Sequence, residues 1–265
     1  METILWEDLE PGIVRLTLNR PERLNAITPA WIDEMHGALD RLGADQDIRV
    51  VILTGAGRGF CSGFDLAQDG DTTFDAEVAK PRASFEAISR LGALFLRLTR
   101  LRQPVIAAIN GPAVGAGVAL ALVADIRLAA TAANFQIVMP RLGLAATECG
   151  MSWLFPRLVG LSRAFELMLT GRRFDAAEAM EIGLLSRLLP PQDLLGAATE
   201  MARMIAANAP FAVWMTKETV RFNLETPGLE AAMAWEGRTQ VMTGAQGDVF
   251  EAVQAFREKR PPNFS

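Results

Sequence analysis

Two hydrophobic patterns alternate along this chain. Uninterrupted apolar runs at Arg49–Thr54 (RVVILT) and Val105–Ile109 (VIAAI) predict buried strands. Ile4-Leu5-Trp6 and Ile13–Leu18 flank a turn at Pro11-Gly12 and predict a strand pair. Elsewhere apolar residues return every third or fourth position. Thr28-Pro29 supplies an N-cap and a first-turn proline for a helix through Leu42, with Ile32, Met35, Leu39 and Leu42 as its stripe. A second long helix is expected over 82–101. Strands are expected over Ile126–Ala130, more briefly over 134–138, and over 184–189. Helices are expected over 148–158, over 162–169 with a stop at Gly171, and from Asp175 to Gly183. Beyond Pro190-Pro191 only helical spacing remains, over about 192–207, 209–223, 228–243 and 247–258. The pattern predicts a mixed α/β core over 1–195 and a helical region over 196–265. It does not choose among α/β topologies.

One stretch breaks the pattern. VIAAINGPAVGAGVALALVAD, Val105 to Asp125, passes from a strand through Asn110-Gly111-Pro112 and Gly115-Ala116-Gly117 into an apolar helix. A glycine-rich turn at a helix N-terminus presents backbone N–H groups that stabilise negative charge. The loop GRGFCSGFDL after the earlier strand has the same small-residue character. Two such loops on adjacent strands can aim two N–H groups at one oxygen, an oxyanion hole. The plainer reading is two tight turns.

Composition narrows the class. Half of the 265 residues are apolar, which supplies a sizeable core. The net charge is −5 with no basic block, so nucleic acid is a poor partner. Cys61 and Cys149 form no disulfide framework, which fits a reducing, cytoplasmic setting. METILWEDLEPG is not a signal peptide, and Asn110, Pro112 and the glycines argue against a membrane span at Val105–Asp125. No CxxC or HExxH occurs, so no metal is expected, and the glycine pieces match neither a dinucleotide nor a Walker pattern. His36, the only histidine, reads as a surface or packing residue. Ser62 lies in no G-x-S-x-G elbow, which leaves a serine hydrolase a remote reading. From Ala67 to about residue 79 the chain is polar and acidic and is expected to be a mobile loop.

Taken together, LNRPERLNAI, VVILTGAGRGFCSGFDL, AAINGPAVGAG, PRLVG, LTGRRFDAAEAMEIGLL and FREKRPPNFS resemble the crotonase (enoyl-CoA hydratase/isomerase) superfamily in order and approximate spacing, from end to end. The resemblance implies a spiral of ββα units, a C-terminal helical trimerisation region and assembly as a homotrimer or dimer of trimers. It implies acyl-coenzyme A thioesters as substrates, no other cofactor, and a place in fatty-acid metabolism. By motif position the oxyanion-hole donors are the N–H groups of Phe64 and Ala116. Ala116 stands where the family usually has glycine, so it is expected at negative φ, where its Cβ costs nothing. Phe64 replaces a smaller residue and either walls the acyl pocket or packs in the core. Arg23, Leu24 and Ala26, with Gly63, Asp65, Leu66 and Ala67, are implied backbone contacts to adenine and pantetheine. Arg20 or Arg23, and Lys259 or Arg260 from the tail, are candidates for the phosphates. Each is otherwise a solvated charge, and Arg20 is a candidate for a local tie instead.

The sequence departs from that family at the carboxylates. A hydratase of the family handles water with two glutamates, and the matching positions here are Ala119 and Met139. Neither moves a proton. Glu148, in GLAATECGMSWLFPRLVG, falls where family isomerases often keep an aspartate, given a one-residue insertion after Gly143. It reads either as a lone acid/base or as a helix N-terminal acid favoured by about 0.3–1 kcal/mol. Asp125 reads as structural, and Trp153 and Trp214 as core or subunit-contact residues. Three functions stay open: double-bond isomerisation by a single acid, hydration by a non-standard acid, and acyl-CoA binding without turnover.

Overall fold

A computed structural model describes residues 2–65 and 81–264. Its main sheet has the order β1 (Ile4–Glu10), β2 (Ile13–Leu18), β3 (Val50–Gly55), β4 (Val105–Ile109), β6 (Ile126–Ala130), β9 (Arg187–Leu189). Only β1 and β2 pair antiparallel; every later neighbour is parallel. A smaller sheet joins β5 (Ala113–Val114), β7 (Asn134–Gln136) and β8 (Arg173–Asp175). Two isolated parallel bridges, Ile27 to Phe64 and Cys61 to Ala113, extend that second layer.

The second layer therefore runs from Ile27 through 61–64 to β5, β7 and β8, in chain order. The turns that begin with β3, β4 and β6 each give one strand to the main sheet and one short segment to the second layer, then close with helix; the first turn gives both β1 and β2, and in the last β8 precedes β9. The helices are α1 (Pro29–Ala44), α2 (Pro81–Thr99), α3 (Ala116–Val123), α4 (Met151–Val159), α5 (Leu161–Thr170) and α6 (Ala176–Glu181). This is a spiral of ββα turns. The tail is helical as expected: α7 (Leu194–Ala206), α8 (Pro210–Asn223), α9 (Leu229–Gly244) and α10 (Asp248–Glu258).

Strand alternation explains the uninterrupted apolar runs. On β3, Val51 and Leu53 face α1, α2 and α3, while Val50 and Ile52 face the other way. That second face is covered by α7 through Leu194, Ala198 and Ala202. The first helix beyond residue 193 thus completes the core that the sheet begins.

Local signals decide where elements start. The Thr28 side chain accepts from Trp31 N–H at 3.1 Å to open α1, and Asp175 accepts from Glu178 N–H at 2.8 Å to open α6. Two expectations shift. The predicted helix at 148 begins at Met151, because Cys149 (φ 53°) and Gly150 (φ 80°) are left-handed and cannot continue it backwards. The strand expected over 184–189 shortens to β9. Trp153 and Trp214 are about 44% and 37% exposed, which excludes a core role in the single chain. No helix among the described residues is long and apolar enough to cross a membrane.

Candidate active site

The site is built where the second layer meets α3. Cys61 N–H donates to Pro112 O at 3.2 Å and Val114 N–H to Cys61 O at 2.9 Å, so the 60–65 loop lies along β5. On its other side Ser62 N–H donates to Leu24 O, Ile27 N–H to Gly63 O at 2.7 Å, and Asp65 N–H to Ile27 O at 3.0 Å. The loop is held as a strand between two others.

This pairing fixes the Phe64 peptide. Every peptide bond described is trans, so a carbonyl and the following N–H point in opposite directions in one plane. Gly63 C=O is turned to Ile27; Phe64 N–H is therefore aimed away from Ile27. The Gly115–Ala116 peptide is fixed the same way. Its carbonyl accepts from Val118 at 2.9 Å and Ala119 at 3.3 Å, inside α3. Ala116 N–H then points out of the helix N-terminus, where no intrahelical acceptor exists. The two peptides are close: a Cβ built on Gly63 would stand 3.3 Å from Ala116 N.

Backbone conformation agrees with the expectation for Ala116. Gly115 takes the left-handed φ of 55°, and Ala116 is not among the positive-φ residues. Glycine is also required at 117, where a Cβ would overlap the Cys61 carbonyl. Helix and loop meet backbone to backbone.

All eight residues of α3 are buried. Its C-terminal carbonyls are met by Arg127, whose guanidinium donates to Ala124 O at 2.7 Å and to Leu184 O at 2.9 Å. Burial pulls the Arg127 pKa down to about 10, still charged at neutral pH. A cation at this end and an anion at the other both suit the helix dipole.

The floor of the site is apolar. Ala119 is fully buried, and Met139 Sδ would stand 3.7 Å from a Cβ on Gly115. Glu148 is half-buried in the turn that enters α4, and Met151 N–H donates to its backbone carbonyl at 2.9 Å. The α4 N-cap is Gly150, without a side-chain cap, so Glu148 is not the capping acid of that helix. Burial pushes its carboxyl above the usual carboxylate range. Burial first, and the Glu148 charge second, push the neighbouring Cys149 thiol up to about 12. Glu148 lies three residues ahead of α4, which packs on α3, and its neighbour Cys149 packs against the core that holds Ala116 and Ala119.

The remaining sequence-derived residues divide. Leu24, Ala26, Gly63 and Asp65 belong to the ladder that carries Phe64, and Phe64 itself is half-buried against the core. Arg23 is exposed beside that ladder, with the Ser62 hydroxyl donating to its carbonyl at 3.2 Å. Arg20 is not available for a phosphate. It donates to Ala26 O at 2.9 Å and to Asp65 Oδ2 at 2.9 Å. Lys259 is an exposed left-handed cap of α10, and Arg260 is paired with Glu251 at 2.6 Å and with Glu258. Leu66, Ala67 and the acidic stretch to 79 lie outside the described residues.

Asp125 is structural, as the sequence suggests. It accepts from Val105 N–H and binds Lys217 and Arg221 of α8, each at 2.8 Å. His36 lies between α1 and α2 against Arg97, at 2.7 Å. Among the described residues no group of three or more His, Cys, Asp or Glu could hold a metal.

Two asparagines were not singled out by sequence. Asn25 Nδ2 donates to Ala56 O and Gly59 O, and Asn110 Nδ2 donates to Gly57 O and Gly59 O. Together they close the turn that leads into the 60–65 loop. The left-handed φ of 57° at Asn25 is the one local signal, since asparagine tolerates it.

A parallel-stranded ββα spiral followed by a helical tail defines a class, and comparison with known proteins agrees with it. The family model for enoyl-CoA hydratase/isomerase matches residues 8–265. A Mycobacterium bovis protein described as a probable enoyl-CoA hydratase is 43% identical over 263 residues, covering 99% of this chain and 92% of the relative. The 1,2-epoxyphenylacetyl-CoA isomerase of Escherichia coli is 38% identical, covering 100% and 99%. The crystal structure of an enoyl-CoA hydratase from Bacillus anthracis superposes with a TM-score of 0.92 at 35% identity, covering 99% and 98%. The chain belongs to the enoyl-CoA hydratase/isomerase family of the crotonase superfamily.

Proposed function

We propose that this enzyme isomerises the double bond of an enoyl-CoA by moving one proton through Glu148. The thioester enolate is held between Phe64 N–H and Ala116 N–H. In this reading the Glu148 carboxylate takes a proton from the α-carbon of a 3-enoyl-CoA. The electron pair passes to the thioester oxygen as a dienolate, and the same carboxyl returns the proton to the γ-carbon, leaving a 2-enoyl-CoA. The reading is carried by Ala119 and Met139, which leave the floor without a titrating pair, and by the half-buried Glu148 with its raised pKa.

Coenzyme A lies in this account along Arg23, Leu24 and Ala26 and over Gly63 and Asp65, with Lys259 at its phosphates. The helices beyond residue 195 form the trimerisation region. Their exposed Leu229, Val241, Phe250 and Phe256, each at least 74% accessible, supply surface for a homotrimer or a dimer of trimers.

The apolar floor also favours a second reading, acyl-CoA binding without turnover. Separate assays of isomerisation of 3-enoyl-CoA and hydration of 2-enoyl-CoA decide between them. Isomerisation that disappears in Glu148→Gln while acyl-CoA binding persists is the expected result. Robust hydration surviving Glu148→Gln would defeat the proposed mechanism, and binding with no turnover on any chain length would favour the second reading.

A further inference from the structure

The Arg20 guanidinium occupies a special place relative to the Phe64 peptide. Its Nη1 donates to Ala26 O and its Nη2 to Asp65 Oδ2, both at 2.9 Å. Ala26 precedes Ile27 and Asp65 follows Phe64, and Ile27 and Phe64 are bridge partners. One planar fork thus spans both strands of the ladder at the point where the Phe64 peptide is oriented. The fork is mostly enclosed, with side-chain exposures of 20% for Arg20 and 7% for Asp65. Arg20 N–H also donates to Asn25 Oδ1 at 2.9 Å, and Asn25 Nδ2 holds Ala56 O and Gly59 O. The whole turn from 56 to 65 is therefore referenced to residues 20–27.

We infer that Arg20 is a positioning residue for the reaction: it fixes the plane of the Gly63–Phe64 peptide and so the aim of Phe64 N–H. This rests on the oxyanion-hole reading of Phe64 and Ala116. The physical reason is geometric. A ladder of two hydrogen bonds, Ile27 N–H to Gly63 O and Asp65 N–H to Ile27 O, sets the direction of the peptide but resists small rotations about the strand axis only weakly. A bidentate guanidinium bound to the flanking residues of both strands suppresses those rotations. Lysine cannot substitute, because a point charge lacks the fork. An oxyanion donor acts only when it is already aimed at the developing charge.

The test compares Arg20→Lys and Asp65→Asn with an amide-to-ester exchange at residue 64, which replaces only the N–H by oxygen. Four quantities are read: kcat and KM on 3-enoyl-CoA, Kd for a saturated acyl-CoA, and the red shift of bound cinnamoyl-CoA, which reports polarisation of the thioester carbonyl. The expected result is a kcat lowered by about tenfold to a hundredfold in Arg20→Lys, the scale of a misplaced catalytic group. The red shift shrinks with it, Kd stays within roughly twofold, and Asp65→Asn shows the same split. Added methylguanidine restores part of both signals to Arg20→Ala. A melting temperature that falls while kcat and the red shift stay unchanged overturns the inference, as does a parallel loss of kcat and binding. If the ester at 64 is silent in kcat and red shift, the oxyanion-hole reading fails and the inference with it. If the ester is damaging and both Arg20→Lys and Asp65→Asn are silent, only the inference fails.

Discussion

At the scale of a single residue, the proposed chemistry turns on Glu148. Its carboxyl holds a proton more readily in the folded chain than in the unfolded one, because burial disfavours the charged form. A base of this kind works only when ionised, so isomerisation should rise with pH through a pKa above 4.5, then level. The pH dependence of kcat on 3-enoyl-CoA reads this directly, and Glu148→Asp should keep the limb while Glu148→Gln removes it. The same shift has a stability sign. Protonation favours the folded state, so the contribution is present at low pH and lost as pH rises through the folded pKa. Glu148→Gln is therefore expected to melt higher than the parent at pH 7, with the difference vanishing below about pH 4. Glu148 was singled out from its place in GLAATECGMSWLFPRLVG. Its place ahead of the helix was not legible, because the left-handed backbone at Cys149 has no sequence signature.

Helix α3 and the 60–65 loop hold the site at the scale of elements, and their contact is backbone on backbone. Gly117 is where the approach is closest, so Gly117→Ala should destabilise the protein by about 1–3 kcal/mol, the usual cost of overpacking. Urea denaturation checks this, and a smaller loss with full activity would show that the loop can yield. Sequence carried α1, β4 and the four tail helices well, because caps and periodic stripes mark them. It missed β5 and β8. Strands of two or three residues contain no full period, and they exist only through pairing with distant segments. The assignment of Phe64 and Ala116 as the proposed donors came only through motif resemblance, since backbone donors leave no mark in side-chain identity.

The whole molecule depends on a latch between core and tail. Asp125 faces Lys217 and Arg221 of α8, and Lys217 Nζ also donates to Gln103 O at 2.8 Å. Lys217 is almost wholly enclosed, and burial lowers its pKa against the opposing pull of Asp125. Asp125→Ala leaves that cation unpaired and should cost about 3 kcal/mol or more, with α8 loosened first. Hydrogen exchange of 210–223 is the measurement. The exposed apolar residues of α9 and α10 predict assembly, so light scattering should give three or six times the 28.8 kDa of one chain. Phe250→Glu with Phe256→Glu should reduce it. The end of strand pattern near residue 190 was legible, but the packing of α7 under the sheet was not, because its Leu194, Ala198 and Ala202 stripe names no partner.

One labelling experiment bears most directly on the proposal that this site holds an enolate with two backbone donors and moves its proton with one carboxyl. A 3-enoyl-CoA deuterated at the α-carbon is turned over in ordinary water, and the product is read by mass spectrometry and NMR. The account predicts a 2-enoyl-CoA that carries part of the deuterium at its γ-carbon, delivered by Glu148. A product with no deuterium there, or 3-hydroxyacyl-CoA as the main product, would contradict it.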